Sequence, residues 1–119
     1  MTSLVNAAFE KTLVEDSDLP WEIVDAKIKR KIMSYSKDIM LVKVAFEKGG
    51  VGAMHKHPHL QMSYIAGGVF EITINSESKI LKEGDVYFAP ADVLHGAVCL
   101  EDGVLVDVFN PMRGDFIHT

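Results

Sequence analysis

The sequence predicts an all-β protein with a single domain, and three observations support this prediction. The chain of 119 residues is long enough for one hydrophobic core but not for two. Runs rich in Val, Ile, Phe and Tyr alternate with breaks rich in Gly, Asn and Pro, which is typical of short strands joined by turns. No segment keeps a helical period over three turns. Short strands at regular spacing favour a barrel or a sandwich.

The breaks divide the chain into an N-terminal arm and a series of strands. Residues 1–26 are mixed and acidic, and we expect them to form an arm with edge strands, held in place by Phe9 and Trp21. Residues 27–119 are predicted to form the barrel domain. The predicted strands are Ile28–Tyr35, Met40–Phe46, Gln61–Ala66, Val69–Asn75, Lys79–Leu81, Val86–Phe88, Gly96–Leu100 and Val104–Phe109.

Composition argues against several classes of protein. A net charge of −5 disfavours nucleic acid as a partner, and the basic run Lys27–Lys31 is expected to be a solvated face. No apolar run reaches the ~18 residues of a membrane span, and the acidic N-terminus does not have the pattern of a signal peptide. Cys99 is the single cysteine and is expected to be a buried, inert thiol. A cytoplasmic location is the default expectation.

Side-chain alternation singles out one carboxylate in the last predicted strand. Leu105, Asp107 and Phe109 share one face of this strand, since strand side chains alternate with period two. Burying a charge without a partner is costly, so Asp107 either faces solvent or has a polar role inside. Among the remaining apolar residues, three methionines are interpreted as core residues because Met fills irregular gaps: Met33, Met54 and Met62.

Three histidines and a glutamine have the spacing of a metal site. His55 and His57 point the same way from a strand, Gln61 follows four residues later, and His95 lies downstream. Together they can surround one divalent metal. All four ligands are neutral, so the metal would keep its full charge, favour bound anions and act as a strong Lewis acid. His59 is expected at the rim or behind the ligands, and His118 in solvent.

The same residues belong to two motifs that resemble those of the cupin family. Gln61 stands where cupins most often have Glu, Asp92 where they often have Gly, and Cys99 where they often have Asn. The resemblance implies a double-stranded β-helix, a jelly-roll barrel with the metal inside near one mouth, and a homodimer paired through N-terminal strands. The motifs are Gly49-x5-His55-x-His57-x3-Gln61-x6-Gly68 and Gly84-x5-Pro90-x-Asp92-x2-His95.

From Lys27 to the C-terminus the chain resembles the KdgF group of small cupins, which act in pectin and alginate breakdown. The resemblance implies ring opening of 4,5-unsaturated monouronates to linear keto-deoxyuronates. It implies catalytic roles for Asp107 and Arg113, contact of Phe109 and Arg113 with a small anionic sugar, and no organic cofactor. The clearest matches are His95–Cys99, Val106–Phe109 and Pro111–Arg113, with further matches at Ile28–Ile32, Val42–Val44 and His57–Gln61.

Two other functions remain open at this point. One is a metal-dependent dioxygenase on the same fold, although the ligand set lacks the carboxylate of the facial triad found in many oxygen-activating iron sites. The other is a non-catalytic cupin that senses a sugar or another ligand. The metal itself is equally open, since Ni, Zn, Fe and Mn all accept these ligands. The particular unsaturated uronate is open as well.

Overall fold

The structure, a computed structural model, describes residues 5–117 and confirms the all-β prediction. The described part contains eight antiparallel strands and three short 3-10 helices at Val5–Ala8, Asp16–Asp18 and Gly114–Phe116. None of its helices has the length and apolar character needed to cross a membrane. The strands are β1 (Glu22–Asp25), β2 (Ile28–Ser36), β3 (Ile39–Phe46), β4 (Val51–His55), β5 (Leu60–Ile74), β6 (Glu77–Lys82), β7 (Val86–Ala89) and β8 (His95–Asn110).

Two long strands, β5 and β8, organise the barrel. They run antiparallel to each other, and each changes its second partner halfway along its length. β8 pairs with β4 through its first half and with β3 through its second half. β5 pairs with β7 and then with β6, and β2 and β1 continue the sheet beyond β3. Because the long strands belong to both halves, the sheet folds over and encloses an interior.

Glycines allow the long strands to bend where the sequence predicted turns. We expected strands to end near Gly67 and near Gly103, but β5 and β8 continue through both positions with an irregular register. Gly68 has a φ of +83°, and a Cβ there would lie 2.6 Å from the Cα of Gly103. A glycine that is required by close packing or by a left-handed backbone gives the same signal in the sequence as a glycine in a turn. Each of the two predicted pairs of short strands is therefore one continuous strand. β1 lies in the N-terminal arm, where edge strands were expected, and β4 ends at His55, which was expected on a strand; neither had been given bounds from the sequence.

Inward-facing side chains form two hydrophobic clusters, and the alternation predicted for the last strand is confirmed. One cluster contains Phe46 and Phe70, whose rings meet edge to face at 5.2 Å between centroids. Cys99 is buried in this cluster, as expected, and burial raises the pKa of its thiol. The other cluster contains Met40 and Phe109. Asp107 lies on the same inward face as Leu105 and Phe109.

The N-terminal segment packs against β2. Phe9 bridges to Tyr35, with ring centroids 5.3 Å apart. The Nζ of Lys31 lies 4.7 Å from the centroid of the Trp21 ring and donates to the backbone oxygen of Asp16 at 2.9 Å. Lys31 is therefore buried, and Arg30 is partly buried and lines the interior cavity, so the prediction of a solvated basic face is wrong for these two residues. The predicted exposure of His118 falls outside residues 5–117.

The outward side of β5 and β7 is apolar and exposed. Met62 pairs across the strands with Phe88, and Tyr64 pairs with Val86. All four side chains are exposed. The interpretation of Met62 as a core residue is wrong, and the same holds for exposed Met54. Alternation explains the result for Met62, because its neighbours Gln61 and Ser63 occupy the inner face.

Candidate metal centre and active site

Three histidines meet at one end of the barrel interior. His55 ends β4, His95 begins β8, and these two residues are partners across the strands. His57 reaches the same point from the loop that follows β4, so the prediction that both histidines project from one strand is wrong for His57. One nitrogen from each ring lies within 4.8 Å of the corresponding nitrogens of the others. The structure therefore brings together the three histidines that the sequence spacing predicted as metal ligands.

Backbone carbonyls fix the orientation of all three imidazoles. The Nδ1 atoms of His55, His57 and His95 lie 2.8, 3.0 and 2.9 Å from the carbonyl oxygens of Ala53, His59 and Val93. An Nδ1–H that donates to a carbonyl leaves an unprotonated Nε2 for a metal. Burial lowers the pKa of His57 and of His95, which favours the neutral rings that metal binding requires.

Gln61 adds an oxygen to the three imidazoles. Its Oε1 lies 3.0 Å from Nε2 of His57 and 3.2 Å from Nε2 of His95. Because the Nδ1 hydrogens are bonded to carbonyl oxygens, the Nε2 atoms carry no hydrogen. The Nε2 atoms and Oε1 of Gln61 therefore face each other as acceptors without a hydrogen between them. A cation placed among them would satisfy all four atoms. The donor set thus fits one divalent transition metal, with Zn, Ni, Fe and Mn all compatible.

The loop between β4 and β5 is tied to the loop before β8. The amide of Asp92 donates to the carbonyl of His57 at 2.8 Å, and Asp92 has a φ of +62°. This left-handed backbone explains why Gly is common at the motif position that Asp92 fills, since Asp tolerates the conformation better than most residues. His59 lies outside the three-histidine cluster, with its ring centroid 5.3 Å from that of His57.

Asp107 is buried beside the proposed metal ligands. Its Oδ1 accepts a hydrogen bond of 2.6 Å from the hydroxyl of Ser63, and Ser63 accepts one of 3.0 Å from Nε2 of Gln61. Burial raises the pKa of Asp107 to about 6, although Ser63 and Arg113 act in the opposite direction. A carboxyl group with this pKa can take up and release a proton near neutral pH.

Arg113 reaches the cavity from the segment after β8. Its Nε and Nη2 donate to the two carboxylate oxygens of Asp115 at 3.0 and 2.8 Å. The guanidinium also lies over two rings, 5.0 Å from the centroid of Phe109 and 4.3 Å from that of Phe116. The side chain is thus held by Asp115 and the rings, and the N–H groups not bonded to Asp115 remain for another acceptor.

Most of these side chains line one cavity of about 260 Å³. Six of its polar or aromatic residues were predicted from the sequence as site residues. Arg30, Phe46, Tyr87 and Phe116 were not, and neither was Ser63, which is fully buried behind the lining between Gln61 and Asp107. Alternation with Gln61 could have placed Ser63 on the inner face, whereas Tyr87 and Arg30 depend on contacts between distant strands. Polar and aromatic lining residues are His55, Gln61, His95, Asp107, Phe109 and Arg113, together with Arg30, Phe46, Tyr87 and Phe116.

Comparison with known proteins agrees with this fold. A family model for the cupin domain matches residues 42–109, so the chain belongs to the cupin family. Over 104 residues it is 49% identical to the pectin degradation protein KdgF of Dickeya dadantii (strain 3937), a match that covers 86% of this chain and 94% of the relative. Within the cupin family, the chain belongs with the KdgF proteins.

Solved structures give the same result. KdgF from Halomonas sp. matches with a TM-score of 0.87 and 37% identity over 90% of this chain and 99% of that one. An RmlC-like cupin from Shewanella frigidimarina NCIMB 400 matches with a TM-score of 0.88 and 35% identity over 91% and 97% of the two chains. The resemblance to cupins and to KdgF that the sequence motifs indicated is confirmed.

Proposed function

We propose that this protein opens the ring of 4,5-unsaturated monouronates derived from pectin or alginate and yields linear keto-deoxyuronates. The observation that carries the proposal is the placement of Asp107, a buried carboxyl group with a pKa of about 6, in the same cavity as His55 and His95. The Dickeya relative, named for pectin degradation, supports this substrate class. The reaction is an isomerisation, so it requires neither an oxidant nor an organic cofactor.

Two side chains are proposed to orient the sugar. Arg113 offers its free N–H groups to the substrate carboxylate, and a guanidinium matches the planar geometry of that group. Phe109 lines the cavity beside the Arg113 guanidinium, and the part of its ring that borders the cavity is proposed to contact the sugar. A bound metal would supply Lewis acidity, which stabilises negative charge that develops on a substrate oxygen.

Asp107 is proposed to carry the proton in both directions. As a carboxylate it accepts the proton of the anomeric hydroxyl while the bond between C1 and the ring oxygen breaks. This step leaves an aldehyde at C1 and an enolate over C4, C5 and the former ring oxygen. Protonated Asp107 then delivers the proton to C4, and the enolate becomes a ketone at C5. All atoms and electrons balance, and Asp107 returns to its starting form.

The direct test is to add the purified protein to unsaturated monouronates prepared with a pectin lyase and an alginate lyase. We expect the absorbance of the C=C bond to disappear faster than it does spontaneously. Protein treated with a chelator should lose the activity and regain it when a divalent metal is returned. A rate equal to the spontaneous one with metal-loaded protein would contradict the proposal and favour a ligand-sensing cupin.

An oxygen electrode in the same assay separates ring opening from the dioxygenase alternative. Ring opening consumes no oxygen, and it should proceed equally fast in anaerobic buffer. Stoichiometric loss of oxygen with loss of the substrate would instead identify a dioxygenase. The donor set is neutral and lacks a carboxylate, and this observation favours the anaerobic result.

We also propose a homodimer formed through the N-terminal strands, in a cytoplasmic protein. β1 is an edge of the sheet, and its Ile23 is 73% exposed, so a second chain can pair there. Light scattering after gel filtration should show a dimer for the wild type and a monomer for Ile23→Lys. Met62→Lys, on the exposed outer face of β5, is the control and should remain a dimer. If only Met62→Lys is a monomer, the interface lies on the outer face of β5 and not at β1. Cell fractionation tests the location.

A further inference from the structure

A chain of hydrogen bonds with a fixed direction runs from Gln61 to Asp107. Nε2 of Gln61 donates to Oγ of Ser63 at 3.0 Å, and Ser63 donates its single proton to Oδ1 of Asp107 at 2.6 Å. Nε2 of Gln61 also donates to the hydroxyl of Tyr87 at 3.3 Å. Ser63 is fully buried, so water does not compete for these bonds. Both amide hydrogens of Gln61 therefore point away from the histidines.

The direction of this chain determines which end of the amide faces the histidines. An ionised Asp107 can only accept, so Ser63 must give its proton to Asp107 and must itself accept from Gln61. The amide then presents Oε1 to the Nε2 atoms of His57 and His95, at 3.0 and 3.2 Å. If the amide were rotated by half a turn, its N–H groups would point at the position of the metal and block coordination.

We propose that Ser63, assisted by Tyr87, is a positioning residue that locks the amide of Gln61 with its oxygen toward the metal. The proposal rests on the metal site of the proposed function but not on the sugar reaction. It also explains why an amide, and not the carboxylate usual in cupins, suits this site. A carboxylate has no proton to donate to Ser63, and two carboxylates would then share one hydroxyl hydrogen.

The critical experiment compares Ser63→Ala in two backgrounds, with metal affinity measured by chelator competition. In the wild-type background we expect affinity to fall by roughly 10–100-fold, the usual loss when a partner of a ligand is removed. In the Gln61→Glu background we expect a change below about threefold, because a carboxylate has two equivalent oxygens and no orientation to lock. Ser63→Thr keeps the hydroxyl and should restore most of the affinity to the wild-type background.

Each result bears on the proposal. Equal losses in both backgrounds, or no loss in the wild-type background, would overturn it, and so would failure of Ser63→Thr to restore affinity. Tyr87→Phe provides a second variant should Ser63→Ala not fold; it should show a smaller loss with the same dependence on Gln61. Wild-type protein that binds no metal would overturn the metal site and with it the proposed function. Binding by the wild type with unaffected variants would overturn the role of Ser63 alone.

Discussion

The two halves of the cavity are held together in different ways. In the histidine half, each imidazole is fixed by a carbonyl only two residues away in the chain. In the half that contains Asp107 and Arg113, the carboxylate depends on Ser63, which is 44 residues distant. The histidine half is thus preorganised by local backbone, whereas the acidic half is assembled by the register of β5 against β8.

The difference has a chemical consequence. Short-range carbonyl partners hold neutral rings in one tautomer, which suits a metal ligand that must not change its protonation. Asp107 is held by one hydroxyl and otherwise shielded from water, so its pKa lies near 6 and its protonation can change. We therefore expect variants of the ligands and of Ser63 to affect metal affinity, and variants of Asp107 and Arg113 to affect turnover or substrate binding.

The largest effect is expected for His57→Ala. Loss of one of four donors should remove most of the metal and the activity together, since the three remaining donors leave an incomplete shell. Elemental analysis of the purified variant measures the metal, and the uronate assay measures the activity. His59→Ala is the matched control because it lies two residues away and outside the cluster; it should keep its metal. Full metal occupancy in His57→Ala would refute the ligand assignment.

Asp107→Asn should have the next largest effect, and on turnover alone. The amide is nearly isosteric and can still accept from Ser63, but it cannot carry the proton. We expect kcat to fall by roughly 10²–10⁴, the usual contribution of a general acid or base, while metal content and KM stay close to those of the wild type. The exposed Asp38→Asn variant controls for charge. A metal-depleted Asp107→Asn protein would show that the two halves are not separable.

The same variant should be more stable than the wild type at neutral pH. The pKa of Asp107 is raised from 3.8 to about 6 by burial, so between these values the folded state binds more protons than the unfolded chain. The free energy of unfolding of the wild type therefore falls as pH rises through this range. At about 1.4 kcal/mol per pKa unit, Asp107→Asn removes a penalty of at most about 3 kcal/mol.

Thermal unfolding of chelator-treated protein measures this penalty without the influence of a metal charge. We expect the melting temperature of Asp107→Asn to exceed that of the wild type by several degrees at pH 7.5, and the difference to shrink as pH falls toward 4. A difference that is constant over the whole pH range would show that packing, and not ionisation of Asp107, is responsible.

Much of the histidine half could be predicted from the sequence because its determinants are local. Spacing alone groups His55, His57 and Gln61, and a strand period of two turns Asp107 inward. The contacts of Ser63 and Tyr87 need the register of distant strands, which no local pattern encodes. The continuity of β5 could not be predicted for a related reason. Gly68 has a positive φ, and a glycine is favoured for this conformation in a bulge as much as in a turn.

Arg113→Ala should have the smallest of these effects and should act on binding. Its guanidinium is proposed to hold the substrate carboxylate, and hydrogen bonds to charged groups contribute about 1.5–3 kcal/mol, so KM should rise by roughly 10–100-fold with a smaller loss in kcat. Arg113→Lys keeps the charge but loses the planar fork, and it should recover only part of the affinity. Asp115→Asn tests the role of Asp115, the hydrogen-bond partner of Arg113. This variant keeps the guanidinium over Phe109 and should change KM less than Arg113→Ala does. If Arg113→Ala lowers kcat as much as Asp107→Asn while KM stays unchanged, Arg113 acts on the reacting atoms and not as a clamp.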